Sequence, residues 1–224
     1  MDALRADVEA ALRRLRGAPT ARLRALRRET SRRVAAAAAG TVVRLALDLV
    51  AAGGIECRWV AYELVHYHRP ALASLRERTL VRLAGRLEGW GAVDGFACYL
   101  AGPAWREGQV GDAVVRRWAR SRDRWWRRAA LVSTVPLNSR ARGGSGDSPR
   151  TLAICRMLIA DRDDMVVKAM SWALREVAKR DPAAARRFLA EHRDALAARV
   201  VREVGNKLAT GLKNPRRRAP RSRP

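Results

Sequence analysis

Cysteine and acidic residues are both scarce in this sequence, and each shortage narrows the class of protein. The three cysteines, Cys57, Cys98 and Cys155, are far apart and lack a CxxC spacing, which argues against a disulfide framework or a zinc site and predicts buried thiols. The sequence has only 22 acidic residues but 46 lysines and arginines, which gives a formal net charge of +24. We therefore expect a polyanionic partner, nucleic acid before an anionic membrane surface.

Long apolar runs are also missing. The stretch from Val34 to Leu47 is interrupted by Gly40 and Arg44, and residues 1–16 carry charges throughout, unlike a signal peptide. We expect a soluble, cytoplasmic protein with no membrane partner.

Strand patterns are nearly absent, whereas helical patterns cover most of the chain. The segment 163–179 places apolar residues at helical spacing, and Asp181 and Pro182 then end this helix and begin the next. Prolines at similar breaks mark helix ends or first turns. They are Pro70, Pro103, Pro136, Pro149 and Pro182.

One segment recurs after 40 residues. Residues 126–132 align with residues 166–172, and residues 58–61 resemble an earlier, degenerate copy. This period is typical of HEAT-like helix pairs, which stack into an α-solenoid with a concave face. We predict an all-α fold with a single repeat domain over residues 1–212, a mobile insert at 138–148 and a basic, disordered tail at 213–224.

No motif for a metal or nucleotide is present. His66 and His68 lie two residues apart, so on a helix they point about 200° from each other and cannot share a metal ion. The sequence contains no P-loop, no GxGxxG and no nucleophile elbow. We expect neither a metal nor a cofactor.

Seven tryptophans occur against two phenylalanines, and several lie one helical turn from a charged residue. The clusters are Trp90 with Asp94, Trp125 with Arg128, and Trp172 with Lys168 and Arg175. Each tryptophan could equally fill a gap between stacked helices. A concave groove of aromatic faces, arginines and one acid would suit a nucleic acid that carries a cationic lesion.

These motifs resemble those of the DNA alkylation repair family of HEAT-like-repeat DNA glycosylases, the AlkD-like proteins. The resemblance rests on WxxVD at 90–94, WxxRAA at 125–130 and KAxxWxLRE at 168–176. It covers roughly residues 58–212, whereas residues 1–54 match the family poorly.

The resemblance implies a monofunctional enzyme of base excision repair that acts as a monomer on double-stranded DNA, at the bacterial nucleoid. Such an enzyme hydrolyses the N-glycosidic bond of cationic alkylated purines, such as 3-methyladenine and 7-methylguanine, without flipping the base into a pocket. The implied roles are catalysis for Asp94, contact with the lesion and its sugar for Trp90 and Trp172, and DNA-backbone binding for Arg128, Arg127, Lys168 and Arg175.

A single acid suits this chemistry. An alkylated purine already carries a positive charge, so it leaves without the general acid that ordinary glycoside hydrolysis needs. One carboxylate can stabilise the developing sugar cation and orient a water molecule. Three alternatives stay open: Asp94 pairs with a nearby arginine on a helix surface, the protein binds damaged or branched DNA without catalysis, or the repeats form a protein-binding scaffold.

Overall fold

The computed structural model describes residues 2–215 of the chain. Within this range the secondary structure is helical, with no strand, which confirms the predicted all-α class. The helices are α1 (Asp2–Arg14), α2 (Thr20–Arg33), α3 (Ala39–Ala52), α4 (Ile55–Tyr67), α5 (Arg69–Ala73), α6 (Glu77–Ala84), α7 (Trp90–Phe96), α8 (Gly102–Arg106), α9 (Asp112–Ala119), α10 (Arg124–Val132), α11 (Val135–Asn138), α12 (Ser148–Met157), α13 (Asp164–Arg180), α14 (Pro182–Glu191) and α15 (Ala198–Thr210). A π-helical turn at Ala97–Ala101 joins α7 to α8, and a 3₁₀ turn at Arg140–Arg142 follows α11.

Helix starts follow the local sequence signals. The five prolines named above lie in the first turns of α5, α8, α11, α12 and α14, where a missing N–H costs little. Asp123 and Asp163 cap α10 and α13, each accepting a hydrogen bond from the backbone N–H two residues on, at 2.8 and 2.9 Å. The predicted break at Asp181 and Pro182 is confirmed, since Asp181 caps α14 through the Ala184 N–H at 2.9 Å.

The long helices pack in two rows. In the first row α2 packs on α4, α4 on α7, α7 on α10, α10 on α13 and α13 on α15. In the second row α3 packs beside α4, α9 beside α10 and α12 beside α13, and α9 also contacts α12. Because each helix shares an apolar face with its neighbours, one continuous core extends from Leu4 to Val204.

Helix α3 shows how the apolar residues fill this core. Val42, Ala46 and Leu49 are fully buried, whereas Arg44 and Asp48 on the same helix are exposed. An apolar stripe of this kind faces a protein interior. No helix within residues 2–215 combines the length and hydropathy needed to cross a membrane.

The segment 138–148, predicted to be a mobile insert, is instead anchored at several points. Arg180 of α13 donates hydrogen bonds to the carbonyl oxygens of Asn138, at 2.8 Å, and Gly144, at 2.6 Å. Arg106 of α8 donates to the carbonyl oxygen of Arg142 at 2.7 Å. Guanidinium groups from two other helices therefore fix the course of this loop.

The predicted basic tail begins within the described residues and continues beyond them. Lys213 Nζ lies 3.5 Å from Glu203 Oε2, and the Asn206 side chain donates a hydrogen bond to the Lys213 carbonyl oxygen. The prediction of disorder for residues 216–224 falls on residues outside the described range.

Candidate functional site

A cleft of about 460 Å³ opens beside the first row of helices. Its walls come from α2, α4, α7, the π-helical turn, the 3₁₀ turn and α13. Its aromatic and charged residues are Glu56, Trp59, Trp90, Asp94, Tyr99, Arg142 and Trp172. Sequence segments more than 100 residues apart thus contribute to one site.

Helix α7 brings Trp90 and Asp94 to the cleft. Gly89, with a φ of 77°, allows the chain to turn into the helix at Trp90. Val93 and Phe96 point into the core and are fully buried, whereas the Trp90 side chain is 62% exposed. Asp94 follows Trp90 by one turn and lies on the same face, so the apolar face that anchors α7 also orients this pair.

The carboxylate of Asp94 is held by Arg128 of α10 through two hydrogen bonds. Arg128 Nε donates to Oδ1 at 2.9 Å and Nη2 donates to Oδ2 at 2.8 Å. The third nitrogen, Nη1, donates to the carbonyl oxygen of Met165 at 2.6 Å, and Arg128 is only 5% exposed. Such a two-point contact fixes both the position and the plane of the carboxylate.

Burial raises the pKa of the Asp94 carboxyl above its ordinary value of 3.8, although the hydrogen bonds and charge of Arg128, and the charge of Arg142, act in the opposite direction. Asp94 does pair with an arginine, as one alternative held, but the carboxylate lines a cleft, with the buried Arg128 behind it, instead of a helix surface. A carboxylate with little water around it and fixed donors behind it can oppose a positive charge in a bound molecule.

Three tryptophans line the same cleft as this carboxylate. Trp90 and Trp172 come from α7 and α13, which are separated by α10, and Trp59 comes from α4. Trp125, from the remaining predicted cluster, does not line the cleft, and its ring lies 4.8 Å from the Arg124 guanidinium. The structure therefore brings together Trp90, Asp94, Arg128 and Trp172 but leaves Trp125 outside.

The other residues predicted to bind the DNA backbone have partners within the protein. Arg127 Nε donates to Asp161 Oδ2 at 2.7 Å, and its side chain is 20% exposed. Lys168 Nζ lies 2.6 Å from Asp164 Oδ2, and Arg175 donates to Ser171 Oγ at 3.3 Å. Lys168 and Arg175 share the half-exposed face of α13 that carries Trp172, whereas Arg127 is turned away to Asp161.

Sequence reasoning did not single out four aromatic or charged residues of this cleft, which are Glu56, Trp59, Tyr99 and Arg142. Trp59 lies in the degenerate repeat copy at 58–61, so its repeat position was the available signal. Tyr99 lies in the π-helical turn and Arg142 in the 3₁₀ turn, and neither carries a periodic pattern. Helix α2 also contributes a wall, through Thr20 and Leu23.

His66 and His68 make hydrogen bonds within the protein, and the three cysteines are free thiols. His66 Nδ1 lies 2.9 Å from the Tyr99 carbonyl oxygen, and His68 Nδ1 accepts the Ala71 N–H at the start of α5. Burial raises the pKa of Cys98 and Cys155 to about 12. Cys57, predicted to be buried, is partly exposed. Across residues 2–215 no group of three histidine, cysteine or acidic side chains is placed to hold a metal ion.

Comparison with known protein families places the chain in context. Residues 10–208 match a family model described as DNA alkylation repair enzyme. The match extends further toward the amino terminus than the motifs at 58–212 and includes α2, which lines the cleft. No match was found among curated proteins or among solved structures.

Proposed function

The chain belongs to the DNA alkylation repair enzyme family, and we propose that it is a DNA glycosylase acting on cationic alkylated purines in duplex DNA. The substrates are of the 3-methyladenine and 7-methylguanine type. The observation that carries this proposal is the Asp94 carboxylate, fixed by Arg128 within a cleft walled by tryptophans.

Bond cleavage places positive charge on the deoxyribose. The electron pair of the bond between C1′ and the base nitrogen moves to the purine and neutralises its charge, so no proton is needed on the leaving group. Asp94 stabilises the sugar cation, and because Arg128 already fixes the carboxylate, little reorganisation is required. A water molecule oriented by Asp94 then bonds to C1′ and passes one proton to the Asp94 carboxylate, which releases it to solvent.

The tryptophans bind the nucleotide that reacts. A cationic purine is attracted to the face of an indole ring, and Trp90 and Trp172 offer such faces on either side of α10. An aromatic side chain that is 62% exposed, as Trp90 is, is suited to pack against the sugar and the base. The aromatic cleft lies open at the surface, which supports action without flipping the base into an enclosed pocket.

The rest of the protein supplies DNA binding. The two rows of helices support a HEAT-like α-solenoid whose concave face carries the cleft. Lys168 and Arg175, on the face of α13 that carries Trp172, contact the DNA backbone. Arg128 contacts the DNA backbone beside the lesion through the N–H groups that are not bonded to Asp94 or Met165. Arg127 instead orients α10 through its hydrogen bond to Asp161.

The absence of a suitable amine supports a monofunctional reaction. An enzyme that also cuts the DNA strand forms a Schiff base with an amine, and no lysine is among the described residues that line the cleft. Hydrolysis therefore ends at an abasic site.

The test is release of free methylated base from alkylated duplex DNA, measured by chromatography. We expect release above the spontaneous background, and strand breaks only after alkali treatment. Absence of release across a panel of alkylated purines would show that the catalytic proposal is wrong.

The pairing of Asp94 with Arg128 also favours a second candidate, a non-catalytic protein that binds damaged or branched DNA, because the pair already compensates both charges. This candidate predicts salt-sensitive DNA binding without base release. A protein-binding scaffold would instead bind DNA weakly, with little dependence on salt.

A further inference from the structure

Arg142 is the one cationic residue among the described residues that line the cleft. It also lines a neighbouring cavity of about 220 Å³, together with His66, Tyr67 and Tyr99. The Arg142 side chain therefore stands between two adjoining hollows of the surface. A bound polymer that runs past Asp94 from one hollow to the other would pass this guanidinium.

The loop that carries Arg142, residues 139–146, has a backbone built for one conformation. Gly143 has a φ of 79°, in the left-handed region. A Cβ atom on Gly144 would lie 2.5 Å from the Pro136 carbonyl oxygen, so any larger residue would displace the loop. With the bonds from Arg106 and Arg180, these glycines hold Arg142 at a fixed place.

The Arg142 guanidinium lies over an aromatic ring and makes no salt bridge within residues 2–215, although its charge acts on the nearby Asp94. It lies 5.6 Å from the centre of the Tyr99 ring, and no carboxylate within residues 2–215 lies within 4.0 Å of it. Burial, followed by the nearby Glu63 carboxylate, raises the pKa of Tyr99 to about 12, so the phenol stays neutral. Arg127 and Arg128, by contrast, are each paired with an aspartate.

A guanidinium on an anchored loop that makes no salt bridge is suited to an anion with paired oxygens. The cationic base cannot be that group, because the two positive charges would repel. In DNA the remaining candidate is the phosphate next to the reacting nucleotide. The alkylated base then faces the tryptophans while the strand continues past Arg142.

We propose that Arg142, presented by the 139–146 loop and stacked on Tyr99, binds a backbone phosphate of the DNA strand that contains the lesion. This inference rests on the proposed function for the identity of the ligand. It adds a DNA-binding residue and the loop that positions it.

The experiment measures binding to a duplex containing a tetrahydrofuran analogue of an abasic site, which cannot be hydrolysed. Affinity is measured between about 50 and 200 mM salt for the wild type and for Arg142→Ala. Loss of one phosphate contact reduces the slope of log K against log salt by about 0.9. Arg142→Lys keeps the charge but not the paired donors, so its affinity should lie between those of the wild type and Arg142→Ala.

A second arm identifies the phosphate. Neutral methylphosphonates replace, one at a time, the phosphates on each side of the analogue. At one position the methylphosphonate should weaken binding by the wild type but not by Arg142→Ala, because that variant already lacks the contact with this phosphate. Arg140→Ala is the matched control: Arg140 is exposed in the same loop and does not line the cleft, so this variant should retain the full methylphosphonate penalty.

Gly144→Ala tests the loop itself. It should reproduce the loss of DNA affinity seen in Arg142→Ala, although it removes no charge. If Arg142→Ala keeps the wild-type slope, or keeps the methylphosphonate penalty at every position, the inference is wrong. A wild type that binds no DNA overturns both the inference and the proposed function. If Arg142→Ala loses the methylphosphonate penalty at one position but the wild type releases no base from alkylated DNA, the inference is supported while the glycosylase proposal fails.

Discussion

Asp94 and Arg128, 34 residues apart in the sequence, meet through two hydrogen bonds of 2.9 and 2.8 Å. The residue before it on α10, Arg127, instead donates one hydrogen bond to Asp161, at 2.7 Å. Two neighbouring arginines of one helix thus bind two aspartates of different segments. Of the two aspartates, only Asp94 lines the cleft.

These two pairs offer a matched test of the catalytic role. Asp94→Asn should reduce base release to near background, because the negative charge that opposes the sugar cation is lost. Asp161→Asn, at a similarly buried carboxylate, should retain release. Each variant leaves an arginine with a weakened partner, so each should lose stability, by up to about 3–5 kcal/mol. Chromatographic release and thermal unfolding of the three proteins separate the effects; equal activity of Asp94→Asn and the wild type would contradict the site assignment.

The pH dependence of base release should depend on Arg128. In the proposed mechanism Asp94 acts as an anion, so the rate should fall as pH decreases through its pKa. Burial raises this pKa, whereas Arg128 and Arg142 lower it. Removing Arg128 as Arg128→Met should therefore raise the pKa further and move the acidic limb of the rate profile to higher pH. Arg142→Ala should move it in the same direction by less, since it acts only through its charge. An acidic limb at lower pH in Arg128→Met would contradict this assignment.

Trp90 should matter for activity far more than for stability. Its side chain is 62% exposed, so Trp90→Ala should change the free energy of unfolding by no more than about 0.5 kcal/mol. Loss of stacking on one nucleotide should weaken lesion binding by roughly 10- to 100-fold. Trp125→Ala, which removes a tryptophan outside the cleft, serves as the control and should bind normally. Binding to duplexes with and without an abasic analogue, together with urea unfolding, measures both effects.

The two glycines that flank Trp90 should respond oppositely to alanine. Gly91 lies in the first turn of α7, and a Cβ there would meet only Ile55, at 3.6 Å. Gly91→Ala should stabilise the protein by about 0.5–1 kcal/mol, or roughly 1–4 °C in melting temperature. Gly89, with a φ of 77°, is strained by any side chain, so Gly89→Ala should destabilise by more than about 1 kcal/mol. Differential scanning calorimetry compares the two; a lower melting temperature for Gly91→Ala would show that the glycine is needed in the helix.

Local signals were sufficient for the helices. The prolines lie in first turns, and the helix at 163–179 and the break at Asp181 are present, because caps and first turns depend only on residues a few positions apart. The loop at 138–148 could not be predicted. Its many small and charged residues are typical of a mobile segment, and the arginines that anchor it, Arg106 and Arg180, belong to distant helices.

The sequence by itself determined the helical class, the common face of Trp90 and Asp94, and the excess of positive charge. The tertiary structure decided which arginine each aspartate meets. Successive residues of a helix point about 100° apart, so the orientation of α10 between α7 and α13 turns Arg128 toward Asp94 and Arg127 toward Asp161. It likewise placed Arg142 beside the cleft, because the position of a loop side chain depends on the helices that hold the loop.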